Sequence, residues 1–171
     1  MDDLRTTRRL GRGMLWLASL ALLGVLWAGF DAYLERAYAP NRTLAVQPGQ
    51  RELVLQRNRA GHYVVPGTIN GQPVSFLVDT GATQVSVPAH LAPVLGLVPG
   101  APVQVMTANG PVTVRATRID ELAFGPFRLR GVAGHLNPGY RGDEILLGMS
   151  ALRHLEFTQR GNTLILRPHE G

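Results

Sequence analysis

Phe76-Leu77-Val78-Asp79-Thr80-Gly81-Ala82-Thr83 decides the reading of this chain. A run of β-forming apolar residues ends on a carboxylate, then a hydroxyl, then a glycine. Buried as a strand, the run delivers Asp79 against an apolar wall. A carboxylate there is costly unless it is hydrogen-bonded or shares a proton with a second one. Thr80 can supply a hydroxyl to such a network, and Gly81 permits a tight turn and close backbone approach. Alone, Asp and Gly after a strand are also ordinary turn chemistry. The surrounding chain has to separate the two readings.

Length excludes one functional reading. An apolar strand followed by Asp and Gly also opens the phosphate-binding turn of actin- and hexokinase-like ATPases. That fold needs far more than the 171 residues here, which suffice for one ordinary domain and an extension. With no cysteine there is neither a disulfide framework nor a thiolate metal site. The formal net charge is +5, and every Lys/Arg position is arginine. No basic block is interleaved with aromatics, so nucleic-acid binding is not indicated. His62, His90, His135, His154 and His169 are scattered without metal-ligand spacing.

Met14 to Phe30 reads MLWLASLALLGVLWAGF, with no charge. Roughly 17 residues make about 25 Å of helix, the short end of a membrane span. Leu10, Ala32 and Leu34 could extend it. Trp16 and Trp27 lie towards its ends and Tyr33 just beyond, at the positions of aromatic belts. Arg5, Arg8, Arg9 and Arg12 precede the run and place the N-terminus in the cytoplasm. A cleaved signal peptide is the rival: Ala37-Tyr38-Ala39 resembles a cleavage site, although Pro40 follows it and the run exceeds a usual signal core. Arg8-Arg9 also weakly suggests a twin-arginine signal. The expected organisation is a cytoplasmic N-terminus over 1–13, a transmembrane anchor over 14–34, a Pro-containing linker over 35–50 and a periplasmic domain over 51–171.

Within the domain the pattern is all-β. Glu52–Gln56 and His62–Ile69 read as strands, with Pro66-Gly67 suggesting an edge or bulge. Asn70-Gly71 is a two-residue hairpin turn, and Val74–Val78 returns from it to Asp79. Gln84–Val87 is a short strand, followed by a short helical segment over Pro88–Leu95. Val103–Val114 is a second hairpin tipped by Ala108-Asn109-Gly110. Strands follow over Arg118–Leu122 and Phe127–Val132, with a polar loop from Leu136 to Asp143. Ile145-Leu146-Leu147-Gly148-Met149 is an apolar strand ending in glycine, with a short helix over Ser150–Leu155. A hairpin over Arg160-Gly161-Asn162 closes the domain.

Asp79-Thr80-Gly81-Ala82, a glycine-tipped hairpin and Leu147-Gly148, in this order and spacing, resemble the retropepsin-like (clan AA) aspartic proteases, especially their short, single-pass, membrane-anchored bacterial members. The resemblance spans roughly Glu52 to Arg167. It implies a single-lobe retropepsin-like acid protease barrel with short helices, preceded here by one N-terminal transmembrane helix. One departure stands out. The retroviral pattern has arginine with Asp or Asn after Leu-Gly, where this chain has Met149 and Ser150.

The resemblance also implies a mechanism. Asp79 would be the catalytic carboxylate, supported by Thr80, Gly81, Ala82 and Gly148. Thr107, Ala108, Asn109 and Gly110 would tip a flap over the substrate. One lobe carries one Asp-Thr-Gly, so two chains must meet as a homodimer to supply the pair of carboxylates. The substrate would be a peptide or protein, with no metal or organic cofactor, and the enzyme would sit in the bacterial inner membrane with its domain periplasmic. Two other readings stay open: an inactive periplasmic peptide-binding or scaffold module of the same fold, and a structural β-domain in which Asp79 only makes a turn.

Overall fold

The computed structural model describes residues 3–44, 49–107 and 110–169. The chain divides into two compact units, one ending at Tyr38 and one beginning at Ala39. The first is a single helix, α1 (Asp3–Tyr38). Among its described side chains, the large apolar ones from Met14 and Trp16 to Phe30 are exposed. Among the described residues no helix is long and apolar enough to cross a membrane. The side chain of Leu15 lies outside that description.

The second unit contains β1 (Leu53–Gln56), β2 (Val64–Ile69), β3 (Gln72–Val78) and β4 (Val85–Pro88), then a 3₁₀ turn at Ala89–Leu91. Next come β5 (Pro102–Thr107), β6 (Gly110–Phe124) and β7 (Phe127–Asn137). The chain closes with β8 (Ile145–Leu147), α2 (Met149–Leu152), β9 (Leu155–Arg160) and β10 (Thr163–Pro168). One sheet has the order β2-β3-β8-β4-β7-β6-β5, and β2 also pairs with β6. That extra pairing closes six strands into a barrel, with β5 attached outside the ring. A smaller sheet has the order β1-β10-β9.

Local chemistry explains the closure. Asn70 and Gly71 both take positive φ, 50° and 80°, as a two-residue hairpin turn requires. Ile69 therefore faces Gln72, and β3 is held in register with β2. Asn70 also ties the turn to β6: its N–H donates to Glu121 O at 2.9 Å, and its Oδ1 accepts from Glu121 N at 3.0 Å. Gly67 lies where β2 meets β6, and a β-carbon there would overlap Ala123 O. Pro66 is an edge position, paired with β3 alone, and Gly67 starts the barrel's closing seam, since pairing with β6 begins there. Phe76 and Phe124 fill the core beneath it edge to face, with ring centroids 6.1 Å apart.

Several boundaries differ from expectation; β2 starts at Val64, β3 at Gln72, and the helical segment after β4 is only Ala89–Leu91. The second flap arm and the next strand are one continuous β6, because β7 pairs along it from Arg115 to Phe124. β7 runs to Asn137 because β4 pairs with its far end, so the polar loop begins later. The helix after Gly148 is one turn, and Leu155 already opens β9.

Asn41, in the segment read as linker, is buried. Its Nδ2 donates to Gln56 O (2.9 Å) and Val64 O (2.8 Å), and its Oδ1 accepts from Gln56 N at 2.7 Å. One side chain thus replaces missing ladder bonds between β1 and β2.

Candidate active site

The site is assembled where β3 ends. β3 runs parallel to β8, with Val78 facing Leu147. Asp79 N–H continues that pairing by donating to Leu147 O at 3.2 Å. The half-exposed Asp79 carboxylate then accepts Gly81 N–H through Oδ1 at 2.9 Å. Ala82 N–H donates back to Asp79 O at 3.3 Å and completes the turn. The hydrogen bond from Gly81 N–H holds the carboxyl group in one orientation.

The turn is clamped from below by α2. Met149 N–H donates to Ala82 O (2.8 Å) and Ser150 N–H to Thr83 O (3.0 Å). These are N-terminal helix donors that lack partners within the helix. Gly148 makes this approach possible, because a β-carbon on it would lie 2.7 Å from Ala82 O and closer still to Gln84 O. The sequence-predicted residues Asp79, Gly81, Ala82 and Gly148 therefore meet in one turn. Thr80 projects outward. It is exposed, and among the described residues its hydroxyl has no partner within the chain.

β5 and β6 form the hairpin that the sequence reading assigned to the flap. Thr107 faces Gly110, and Thr107 Oγ1 donates to Gly110 O at 2.8 Å. Ala108 and Asn109, the predicted tip, lie outside the described residues. Met106 on the arm is 80% exposed, so the hairpin buries little of its own apolar surface.

Sequence reading missed three residues. Where the retroviral pattern has arginine with Asp or Asn, this chain has Met149 and Ser150, and the Ser150 hydroxyl donates to Ala133 O (2.7 Å) and accepts Val85 N–H (3.0 Å). It joins α2, β4 and β7. Ser86 on β4 faces His135 on β7. The His135 pKa is lowered because burial penalises its charged form. Only the departure from the retroviral pattern at Ser150 was a signal in the sequence. Ser86 and His135 are nearly 50 positions apart and carry none. His90 Nε2 meets Asp143 Oδ1 at 2.9 Å on the surface, tying the 3₁₀ turn to the loop after β7. Among the described residues no group of three His, Asp or Glu is arranged to hold a metal ion.

Comparison with known proteins agrees with this geometry. Residues 65–154 match the family described as "gag-polyprotein putative aspartyl protease". The chain belongs to this family. Its fold is that of the retropepsin-like proteins: a crystal structure of a retropepsin-like aspartic protease from Rickettsia conorii is similar at TM-score 0.58 and 28% identity, over 68% of this chain and 90% of that one. An uncharacterized protein encoded in the cobV 5' region of a Sinorhizobium species is 33% identical over 180 residues, covering 96% of this chain and 77% of that protein. An uncharacterized Rickettsia prowazekii protein is 26% identical over 142 residues, covering 77% of this chain and 61% of that protein. The family match contains the Asp79 turn, the flap hairpin and Gly148-Met149-Ser150.

Proposed function

We propose that this chain is a membrane-anchored aspartic endopeptidase, active as a homodimer in which Asp79 of each chain faces its counterpart across a two-fold axis. The observation that carries the reading is the Asp79 turn. A half-exposed carboxylate, oriented by Gly81 N–H at 2.9 Å, stands at the end of a barrel strand in a chain of an aspartyl protease family. One barrel supplies one such carboxylate, and the chemistry needs two.

Two like charges about 3 Å apart cannot both ionise, so the pair shares a proton. The ionised Asp79 takes a proton from a water as its oxygen attacks the scissile carbonyl carbon. The protonated partner gives its proton to the carbonyl oxygen, and the tetrahedral intermediate forms. Its collapse returns a proton to the leaving amine and breaks the C–N bond. Thr80, exposed and without a partner among the described residues, suits a hydrogen bond across the axis. The β5–β6 hairpin would close over an extended peptide, whose backbone pairs with strand edges.

The anchor reading rests on the apolar run Met14–Phe30 and the arginines before it. It puts the protein in the bacterial inner membrane, N-terminus inside and protease domain in the periplasm. Confinement to one membrane raises the effective concentration of two chains and favours their pairing.

The test uses full-length protein in lipid vesicles with a peptide library. Cleavage present in the wild type, abolished in Asp79→Asn and suppressed when wild type is mixed with excess Asp79→Asn is the expected result. Equal cleavage by wild type and Asp79→Asn overturns it.

A further inference from the structure

The strand registers align one residue from each of six neighbouring strands. Val64 faces Leu77, Leu77 faces Leu146, Leu146 faces Ser86, Ser86 faces His135, and His135 faces Ala116. Directly opposed residues in a sheet project to the same face. With strands about 4.8 Å apart, the row runs roughly 24 Å across the barrel wall.

This face is the one that bears Asp79. Phe76 and Val78 pack with the main core, while Leu77 points the other way. By the same alternation Asp79, two residues on, shares the face of Leu77. Leu77 and Leu146 are half-buried and lie outside the core cluster. An apolar strip therefore lies beside the carboxylate, and it changes to polar at Ser86 and His135.

The second observation concerns hydrogen bonding. The buried polar residues among those described are Asn41, Ser86 and Ser150. Asn41 and Ser150 are fully engaged, as described above. Ser86 is 6% exposed, yet among the described residues neither its hydroxyl nor the His135 ring has a partner in the chain. Among the described residues the fully buried side-chain polar atom without a partner is Tyr63 Oη, so the Ser86 hydroxyl reaches solvent, and with the half-buried His135 ring it stands free to bond a ligand.

We propose that Ser86 and His135 form a polar specificity subsite of the cleft that selects peptides with an asparagine or glutamine side chain close to an apolar one. The inference rests on the aspartic protease reading for its place beside Asp79. A serine hydroxyl both donates and accepts, and a neutral imidazole offers one donor and one acceptor. A carboxamide presents the complementary C=O and NH₂. A carboxylate presents acceptors alone and carries a charge into a half-buried place. Burial also keeps His135 neutral near pH 7, which favours the amide over the acid. Leu77 and Leu146 would receive the neighbouring apolar side chain.

The test has two arms, both on full-length protein in vesicles or micelles. In the first, kcat/KM is measured on peptides that differ only in Asn, Asp or Leu at each position around the cleaved bond. At one position the wild type should prefer Asn over Leu and Asp by about tenfold. Ser86→Val and His135→Leu should abolish that preference, and Ser86→Thr, which keeps the hydroxyl, should retain it. An Asn:Leu ratio unchanged by Ser86→Val and His135→Leu overturns the proposal. The second arm does not need cleavage: the ring carbon signal of His135 is followed by NMR in Asp79→Asn as the Asn peptide is added. A shift with the Asn peptide and a smaller one with the Leu peptide is expected. A peptide that binds without moving His135 overturns the subsite. A His135 shift together with no Asp79-dependent cleavage supports the subsite and overturns the protease reading instead. No binding by any peptide overturns the subsite.

Discussion

Gly148 and Gln84 touch backbone to backbone: the Gln84 carbonyl oxygen occupies the place where a side chain at 148 would begin. Ala82 O lies 2.7 Å from the same point. Neither atom is the end of a flexible side chain, so nothing can swing aside. Gly148→Ala should therefore cost about 1–3 kcal/mol, as overpacked sites do. It should also displace the turn that carries Asp79. Urea unfolding would measure the first effect. Activity at a denaturant-free temperature well below the transition would measure the second.

Ser150→Ala removes a hydroxyl that satisfies Val85 N–H and Ala133 O. Val85 is fully buried, so its N–H has little access to water that could replace the hydroxyl, whereas Ala133 is exposed and its carbonyl can turn to solvent. A loss of about 1–3 kcal/mol is expected. Ser150→Thr keeps the oxygen and should lose less. Comparing the two unfolding midpoints checks the assignment to hydrogen bonding rather than volume.

Asn41→Ala leaves Gln56 N–H, Gln56 O and Val64 O without their shared partner. The expected result is loosening of the small β1-β10-β9 sheet relative to the barrel. Hydrogen exchange should accelerate at Leu53–Gln56 before it does at Gln72–Val78. Uniform acceleration would show that Asn41 contributes only to global stability.

His135 predicts a pH dependence of definite sign. Burial holds its pKa below the ordinary 6.5 in the folded protein. The unfolded chain thus binds the proton more readily. The stability difference is fully present above about pH 6.5 and is lost as pH falls through the folded-state value. Wild-type protein should lose more stability between about pH 7.5 and 5 than His135→Leu does. Equal losses would remove His135 as the cause.

Several features were legible because their causes are local. Asn70-Gly71 takes positive φ at both positions, a demand visible in the residue types themselves. The change from an apolar run to Asp-Thr-Gly placed Asp79 at a strand end, and Leu147-Gly148 marked a close backbone contact before its partner was known. Boundaries were less legible where a distant strand extends a nearer one. β7 continues to Asn137 only because β4 pairs with it. The closing seam at Gly67 was not legible because its partner strand β6 lies more than 50 residues away.

The sequence by itself determined the apolar N-terminal run, the all-β domain, the hairpin turns and the carboxylate on which the site is built. Each follows from residues within a few positions of one another, where φ/ψ preference and side-chain alternation act directly. Only the tertiary structure decided what stands beside that carboxylate. The row from Val64 to Ala116, the Ser150 bridge and the Asn41 clamp join residues 13 to 82 positions apart. Their alignment depends on strand register, which is set by barrel closure and core packing rather than by any local pattern.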